Sequence, residues 1–324
     1  MDLHQRTLRV GLTAILCAFL FRVFSMGLPE KAIQWLTESN TASFLTNRET
    51  GRDVRFSASS EGFSPKFVET PPPLTPEPAE PAIPSFSDTD LIELYYAVQV
   101  QPDVEQLLAE PLEWDLRGNE PTVLILHTHS TESYTKTNEP YKETSQWRTL
   151  DEQYNMLSIG SCVASALEAQ GIGVIQDRQL HDYPSYNGSY SHARSTIREY
   201  LEEYPSIRLV LDLHRDASEG ENGQLRTLAQ VDAEASAQLM VVLGTNHEKY
   251  EDNLSLGLKL HAQLETLHPG ITRPLQLRGQ RFNQDLLPGA LLVEVGAAGN
   301  THEEALTAAR VLAEAVAALA KGTN

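Results

Sequence analysis

The sequence predicts an α/β fold, a mainly parallel sheet with helices on both faces, preceded by a transmembrane helix and a disordered linker. Three observations carry that prediction. From residue 122 onward short apolar runs alternate with stretches of helical period, the pattern of strands joined by crossover helices. Runs such as "LVL" and "LLV" have no polar interruption, as expected of strands covered on both sides. Ahead of them, a basic-flanked apolar run gives way to a proline-rich, acidic stretch without any period.

The first element is the apolar run. Arg6 and Arg9 precede a stretch from Val10 to Phe21 that is interrupted by Arg22. Read through to Leu28, with Arg22 reaching back to the interface, it attains the length of a membrane-spanning helix. No small-x-small cleavage site follows it, so residues 1–39 are read as an uncleaved anchor. The basic flank keeps the N-terminus cytoplasmic and sends the remainder outside the cell membrane. Residues 40–88, with "ETPPPLTPEPAEPAIPSFSD" at their heart, lack the apolar content to offset chain entropy and are read as a disordered spacer. Residues 89–324 form the α/β domain.

Within that domain "LIELYYAVQ" and "DVEQLLAEPLEWDL" read as a short helical lead-in. "TVLIL" (122–126) is the opening strand. The next helix is expected from about Asp151 to Ala169, with Met156, Ile159, Val163, Ala166 and Leu167 on one face and a stop at Gly171. "GVIQD" is a strand, "SHARSTIREYLEEYP" a helix, and "RLVLDLH" and "AQLMVVLG" strands. "LSLGLKLHAQLETLHPG" is helical, with His261 and His268 as packing or surface residues. "ALLVEVG" is the last strand and "THEEALTAARVLAEAVAALAKG" the closing helix. Thr301 and Glu304 form a capping box at its start.

The chain has 324 residues and a formal net charge of −19. That surface repels phosphate backbones, so nucleic acid is excluded as a partner. Cys17 and Cys162 are too few, and too differently placed, for a disulfide framework.

Ligand sites of open α/β sheets form at the carboxyl ends of strands, and three strands here end on ionisable residues. The first is followed by His127, His129 and Glu132. The "RLVLDLHRDA" strand brings Asp212, His214, Arg215 and Asp216. The last strand holds Glu294 between Val293 and Val295. Buried groups of this kind need partners or a metal. Two imidazoles from separate strands with a carboxylate suit zinc, which in catalytic sites has three protein ligands and a fourth position open to water. His214 is a ligand candidate, or else a core histidine bonded to backbone. Strict alternation would put His127 and His129 on the same side, so either or both face the site. Glu294 is a ligand, a general base, or a structural acid paired with an arginine such as Arg281.

These residues lie within a longer resemblance. "VLILHTHSTESYT", "WRTLDEQYNM", "HDYPSYNGSYSHARSTI", "YLEEYPSIRLVLDLHRDA" and "LLVEVGAAGNTHEEA", taken in order over about residues 110–320, resemble the stage II sporulation protein P family of zinc-dependent N-acetylmuramoyl-L-alanine amidases. The resemblance implies an amidase-like fold and hydrolysis of the amide between N-acetylmuramic acid and L-alanine of peptidoglycan. It also implies work in forespore engulfment beside stage II sporulation proteins D and M. Carried onto this chain, the metal-binding histidines fall on His129 and His214 and the catalytic glutamate on Glu294. The acidic ligand falls on Asp151, from its place before the helix, or on Glu132, from its closeness to His129. His127, Arg215 and Asp216 then stand behind the ligands or contact substrate. Two rival readings keep the fold: a wall-binding scaffold without turnover, and a metallopeptidase acting on stem-peptide cross-links.

Overall fold

A computed structural model of the chain describes residues 89–220 and 223–322. The expected anchor (1–39) and spacer (40–88) lie outside the described residues. No helix among the described residues is long and apolar enough to cross a membrane.

After a 3-10 turn at Thr89–Leu91 the elements are β1 (Leu94–Tyr96), α1 (Val104–Ala109), β2 (Pro121–Leu126), β3 (Glu143–Ser145) and β4 (Arg148–Thr149). Next come α2 (Met156–Glu168), β5 (Gly173–Gln176), α3 (Ser189–Glu203) and β6 (Leu209–Asp216). Two hairpins follow, β7 (Glu219–Gly220) with β8 (Gly223–Gln224) and β9 (Leu228–Val231) with β10 (Glu234–Ala237). The chain closes with β11 (Leu239–Gly244), α4 (Tyr250–Leu267), β12 (Leu275–Arg278), β13 (Ala290–Ala297) and α5 (His302–Ala318).

Among the described residues seven strands form the central sheet, in the order β1-β12-β11-β13-β6-β2-β5. Every neighbouring pair is parallel except β11 with β13. The sheet is therefore two parallel blocks joined at one antiparallel seam, and β2, β6 and β13 share a carboxyl end.

The period of two along the strands divides the core. Val123 and Ile125, Leu209, Leu211 and Leu213, and Leu291, Val293 and Val295 all face a continuous cluster shared with α2, α4 and α5. Leu124, Leu126 and Val210 face the opposite side, where Ala193, Ile197 and Tyr200 of α3 cover them. Helices thus lie on both faces, three large ones against one. Glycine lets α2 seat closely: a Cβ on Gly160 would stand 2.4 Å from His127 Nε2 and 2.5 Å from Gln176 Nε2.

The ends of elements follow local chemistry. Thr301 Oγ1 accepts from Glu304 N at 3.2 Å while Glu304 Oε2 accepts from Thr301 N at 3.1 Å, the reciprocal capping box read from the sequence. Gly171, at φ +76, stops α2 as expected. Two expectations are corrected. "LIELYYAVQ" holds the edge strand β1, because pairing with β12 supplies the ladder bonds that an isolated turn of helix would lack. The helix expected from Asp151 begins at Met156, capped by the Asn155 side chain, which accepts from Leu157 N. Strands β3, β4, β7 to β10 and β12 are two to four residues long, too short to carry a period in the sequence.

Candidate metal and catalytic site

The site is built on the α3 face. Register places Leu126 beside Asp212, and Asp212 beside Leu292. One pleat further on, His214 and Glu294 are direct neighbours on β6 and β13. Both share the side of Val210 and Leu292, away from α2. Glu294 comes just before a register shift in β13, where Gly296 at φ +72 adopts the left-handed conformation. A Cβ there would stand 2.6 Å from Ala237 Cβ, so the irregularity that aims Glu294 depends on glycine.

β2 has ended by this level, and "HTHSTES" forms a turn instead of continuing it. Its hydroxyls pin that turn. Thr128 donates from N and Oγ1 to Asp212 at 2.8 and 2.6 Å. Ser130 Oγ bonds the carbonyls of His127 and Gln179, and Thr131 Oγ1 donates to Asp182 at 2.7 Å. His127 and His129 are therefore parted, contrary to the expectation from strict alternation. His127 keeps the α2 side, its Nδ1 3.2 Å from Leu213 O and its Nε2 3.3 Å from the Gln176 amide. Burial lowers its pKa to about 4, so it is a neutral core histidine behind the site.

His129 swings over His214. Their rings meet edge to face, with centroids 5.1 Å apart. Tyr186 stacks on His129 at 4.5 Å, its hydroxyl 3.2 Å from Nε2, and Ser189 Oγ lies 3.4 Å from Nδ1. Burial also lowers the His129 pKa to about 4, against the pull of Glu132. A neutral imidazole is the form that binds metals.

Glu132, not Asp151, is the carboxylate at this place. Its Oε2 is 3.8 Å from His214 Nδ1 and accepts from Arg215 N at 3.3 Å. Arg215 and Arg148 approach its Oε1 at 3.5 and 3.4 Å. Burial opposes the carboxylate, yet Arg215, His214, His129 and Arg148 together hold its pKa below the usual value. Asp151 instead caps the turn before α2, accepting from Gln153 N. Arg215 also donates to the carbonyls of Ser133 and Trp147, so it braces the site from behind. Asp216 turns away to Arg273 and Ser218, and Arg281 lies 3.9 Å from Asp285 rather than against Glu294.

The other nitrogen of His214, Nε2, stands 3.0 Å from Asp212 Oδ1. The two face each other as a buried ion pair. Burial disfavours the imidazolium, but Asp212, Glu132 and Glu294 together outweigh it and raise the His214 pKa, so an ion binding there would displace a proton. Glu294 Oε2 is buried without any hydrogen-bond partner. Burial, opposed by His214, pushes the Glu294 pKa up to about 8.

The donor chemistry fits zinc. Two donors on one tetrahedral ion at 2.0–2.2 Å are about 3.4 Å apart, close to the separation of His214 Nδ1 and Glu132 Oε2. Asp212 behind His214 is the carboxylate that metal-binding imidazoles usually have. Among the described residues no three His, Cys, Asp or Glu side chains form a closed metal-ligand group. Both nitrogens of His129 face hydroxyls, one of which an ion would have to replace.

Sequence reasoning passed over Tyr186, Ser189, Arg148 and Asp182. Arg148 reaches Asp182 at 2.5 Å and sits 4.9 Å from the Tyr186 ring centre. It follows Trp147, which holds φ +58, a conformation that costs a non-glycine residue on the order of 1 kcal/mol. The available signal was the crowding of tyrosines in "HDYPSYNGSY". A cavity of about 450 Å³ beside Trp114, Arg208 and Gly289 opens at the amino ends of β6 and β13 and holds none of these residues.

The family model described as "Stage II sporulation protein P (SpoIIP)" matches residues 75–317. Stage II sporulation protein P of Bacillus subtilis (strain 168) is 29% identical over 208 residues, which cover 61% of this chain. The chain spans about half of that relative, 50% of its length. Among solved structures, the CwlD amidase from Clostridioides difficile in complex with the GerS lipoprotein is 14% identical, with TM-score 0.37 over 60% of this chain and 94% of that one. N-acetylmuramoyl-L-alanine amidase AmiC2 of Nostoc punctiforme is 15% identical, with TM-score 0.34 over 62% and 95%.

Proposed function

This chain belongs to the stage II sporulation protein P family, and on that premise we propose that it is a zinc-dependent N-acetylmuramoyl-L-alanine amidase. Its substrate is peptidoglycan, cut between N-acetylmuramic acid and the L-alanine of the stem peptide. One observation carries the reading: at the shared carboxyl end of β2, β6 and β13, His129, His214 and Glu132 stand together beside Glu294, whose Oε2 is buried and unpaired.

His129, His214 and Glu132 would hold the ion, which when bound supplies a Lewis acid for the scissile carbonyl and for water. Asp212 and Arg215 orient His214 and Glu132. Glu294 takes a proton as water adds to the amide carbon, then returns it to the alanine nitrogen as the C–N bond breaks. The products are a lactyl carboxylate and a free amino group.

The family and the apolar N-terminal run support placement outside the cytoplasmic membrane, tethered by residues 1–39. The family name supports a role in sporulation, and we place that role at forespore engulfment, with stage II sporulation proteins D and M as partners. Purified full-length chain should contain about one zinc per molecule and release stem peptides from purified wall. Absence of both would leave only a scaffold. Glu294→Ala should lower release by roughly 10²–10⁴-fold while sparing zinc content, and retained turnover would remove Glu294 from its role.

A further inference from the structure

Two tyrosines on the loop between β5 and α3 are not explained by folding. Tyr183 is 49% exposed and Tyr186 55% exposed. Among the described residues Tyr183 has no side-chain hydrogen bond or ring contact, and Tyr186 stacks on His129 at the rim of the site. Large rings left in water and held in place are a common mark of binding surfaces.

The loop that carries them is held at both ends. His181 Nε2 pairs with buried Asp177 at 2.8 Å, and His192 Nδ1 meets His181 O at 3.1 Å. Asp182 is buried and bonded to Thr131 and Arg148. Gly188 at φ +91 turns the chain into α3. Two exposed aromatic side chains are thus presented on a braced loop, so little ordering entropy remains to oppose a ligand.

The charge around the loop selects the ligand. Glu132, Asp182, Asp212 and Glu294 gather at this rim. The nearby arginines, Arg148 and Arg215, are already engaged by Glu132 and, for Arg148, by Asp182. Neither arginine is left free to receive the carboxylates of a stem peptide. A pyranose ring is uncharged and has a face of C–H groups whose partial positive charge suits the negative face of an aromatic ring.

We propose that Tyr183 and Tyr186 form a sugar-binding subsite that stacks on the glycan strand of the wall and sets the scissile lactyl amide over the catalytic rim. The subsite rests on the amidase reading above and adds the part of the substrate that this loop recognises. Tyr183 is the cleaner probe, because it does not touch the candidate ligands.

The test uses full-length chain and strands of β-1,4-linked N-acetylglucosamine, whose pyranose rings carry no lactyl carboxylate. Tyr183→Ala, Tyr186→Ala and the double variant should weaken strand binding, the double variant by roughly tenfold or more. For Tyr183→Ala the loss should appear in KM for intact wall, with kcat and zinc content within about twofold of wild type. Tyr183→Phe and Tyr183→Trp, which keep the ring, should bind as wild type does. The subsite is overturned if the alanine variants bind strands normally, if Phe and Ala at 183 lose binding equally, or if free stem peptide competes as well as glycan does. A wild-type chain that hydrolyses wall while Tyr183→Ala keeps its KM sinks the subsite alone. A wild-type chain with neither hydrolysis nor zinc sinks the amidase reading as well.

Discussion

The two faces of the central sheet are made by the same strands and do different work. Toward α2, α4 and α5 every strand offers aliphatic side chains, and the cluster they form is continuous. Toward α3 the aliphatic layer is thin, and at the carboxyl end of β6 and β13 it gives way to Asp212, His214 and Glu294. One face provides cohesion, and that surplus lets the other bury carboxylates whose desolvation opposes folding. His127 and His129, two residues apart, fall on opposite sides of this division. The first is a neutral core group against α2, and the second stacks under Tyr186 and against His214.

The largest effect should come from the cohesive face. Leu211→Ala, in the middle of β6, should cost about 2–5 kcal/mol by denaturant unfolding. Hydrolysis per folded molecule should persist, and a selective loss of chemistry with unchanged stability would erase the distinction between the faces. Gly160→Ala drives a Cβ into His127 and Gln176 and should cost about 1–3 kcal/mol, again without loss of zinc.

On the other face, Asp212→Asn keeps the shape but removes the charge beside His214 Nε2. Zinc affinity, measured against a chelator, should fall roughly 10–100-fold with a smaller change in melting temperature. A large fall in stability with unchanged affinity would make Asp212 a core residue. Thr301→Ala removes the cap of α5 and should cost about 1 kcal/mol in unfolding experiments, with catalysis per folded molecule intact.

The smallest expected effect is a pH dependence carried by the cohesive side. His261 on α4 is buried beside Thr272, and burial lowers its pKa below the ordinary 6.5. The unfolded chain then binds the extra proton first, so stability present above pH 6.5 declines as pH falls toward the folded value. His261→Gln should flatten the unfolding free energy between pH 7 and 5. An unchanged slope would show that other groups set the acid response.

Much of this arrangement was legible in the amino acids. Uninterrupted apolar runs marked β2, β6 and β13, and the residues following those runs marked the rim. Thr301 and Glu304 announced the start of α5, because capping is chemistry between residues three apart. The lead-in was harder, since β1 is a strand only through β12, far along the chain. β12 itself, four residues with two of them polar, has no period long enough to read.

Residue types and strand alternation by themselves determined an α/β sheet with two imidazoles and a glutamate near its carboxyl edge. Only the tertiary structure decided that Glu132, not Asp151, meets His214, that His127 turns toward α2, and that β11 runs against β13. The reason is physical. Periodicity reports which side of its own element a residue takes, while those outcomes depend on a turn pinned by Asp212 and Asp182, on register between distant strands, and on arginines that arrive from elsewhere in the chain.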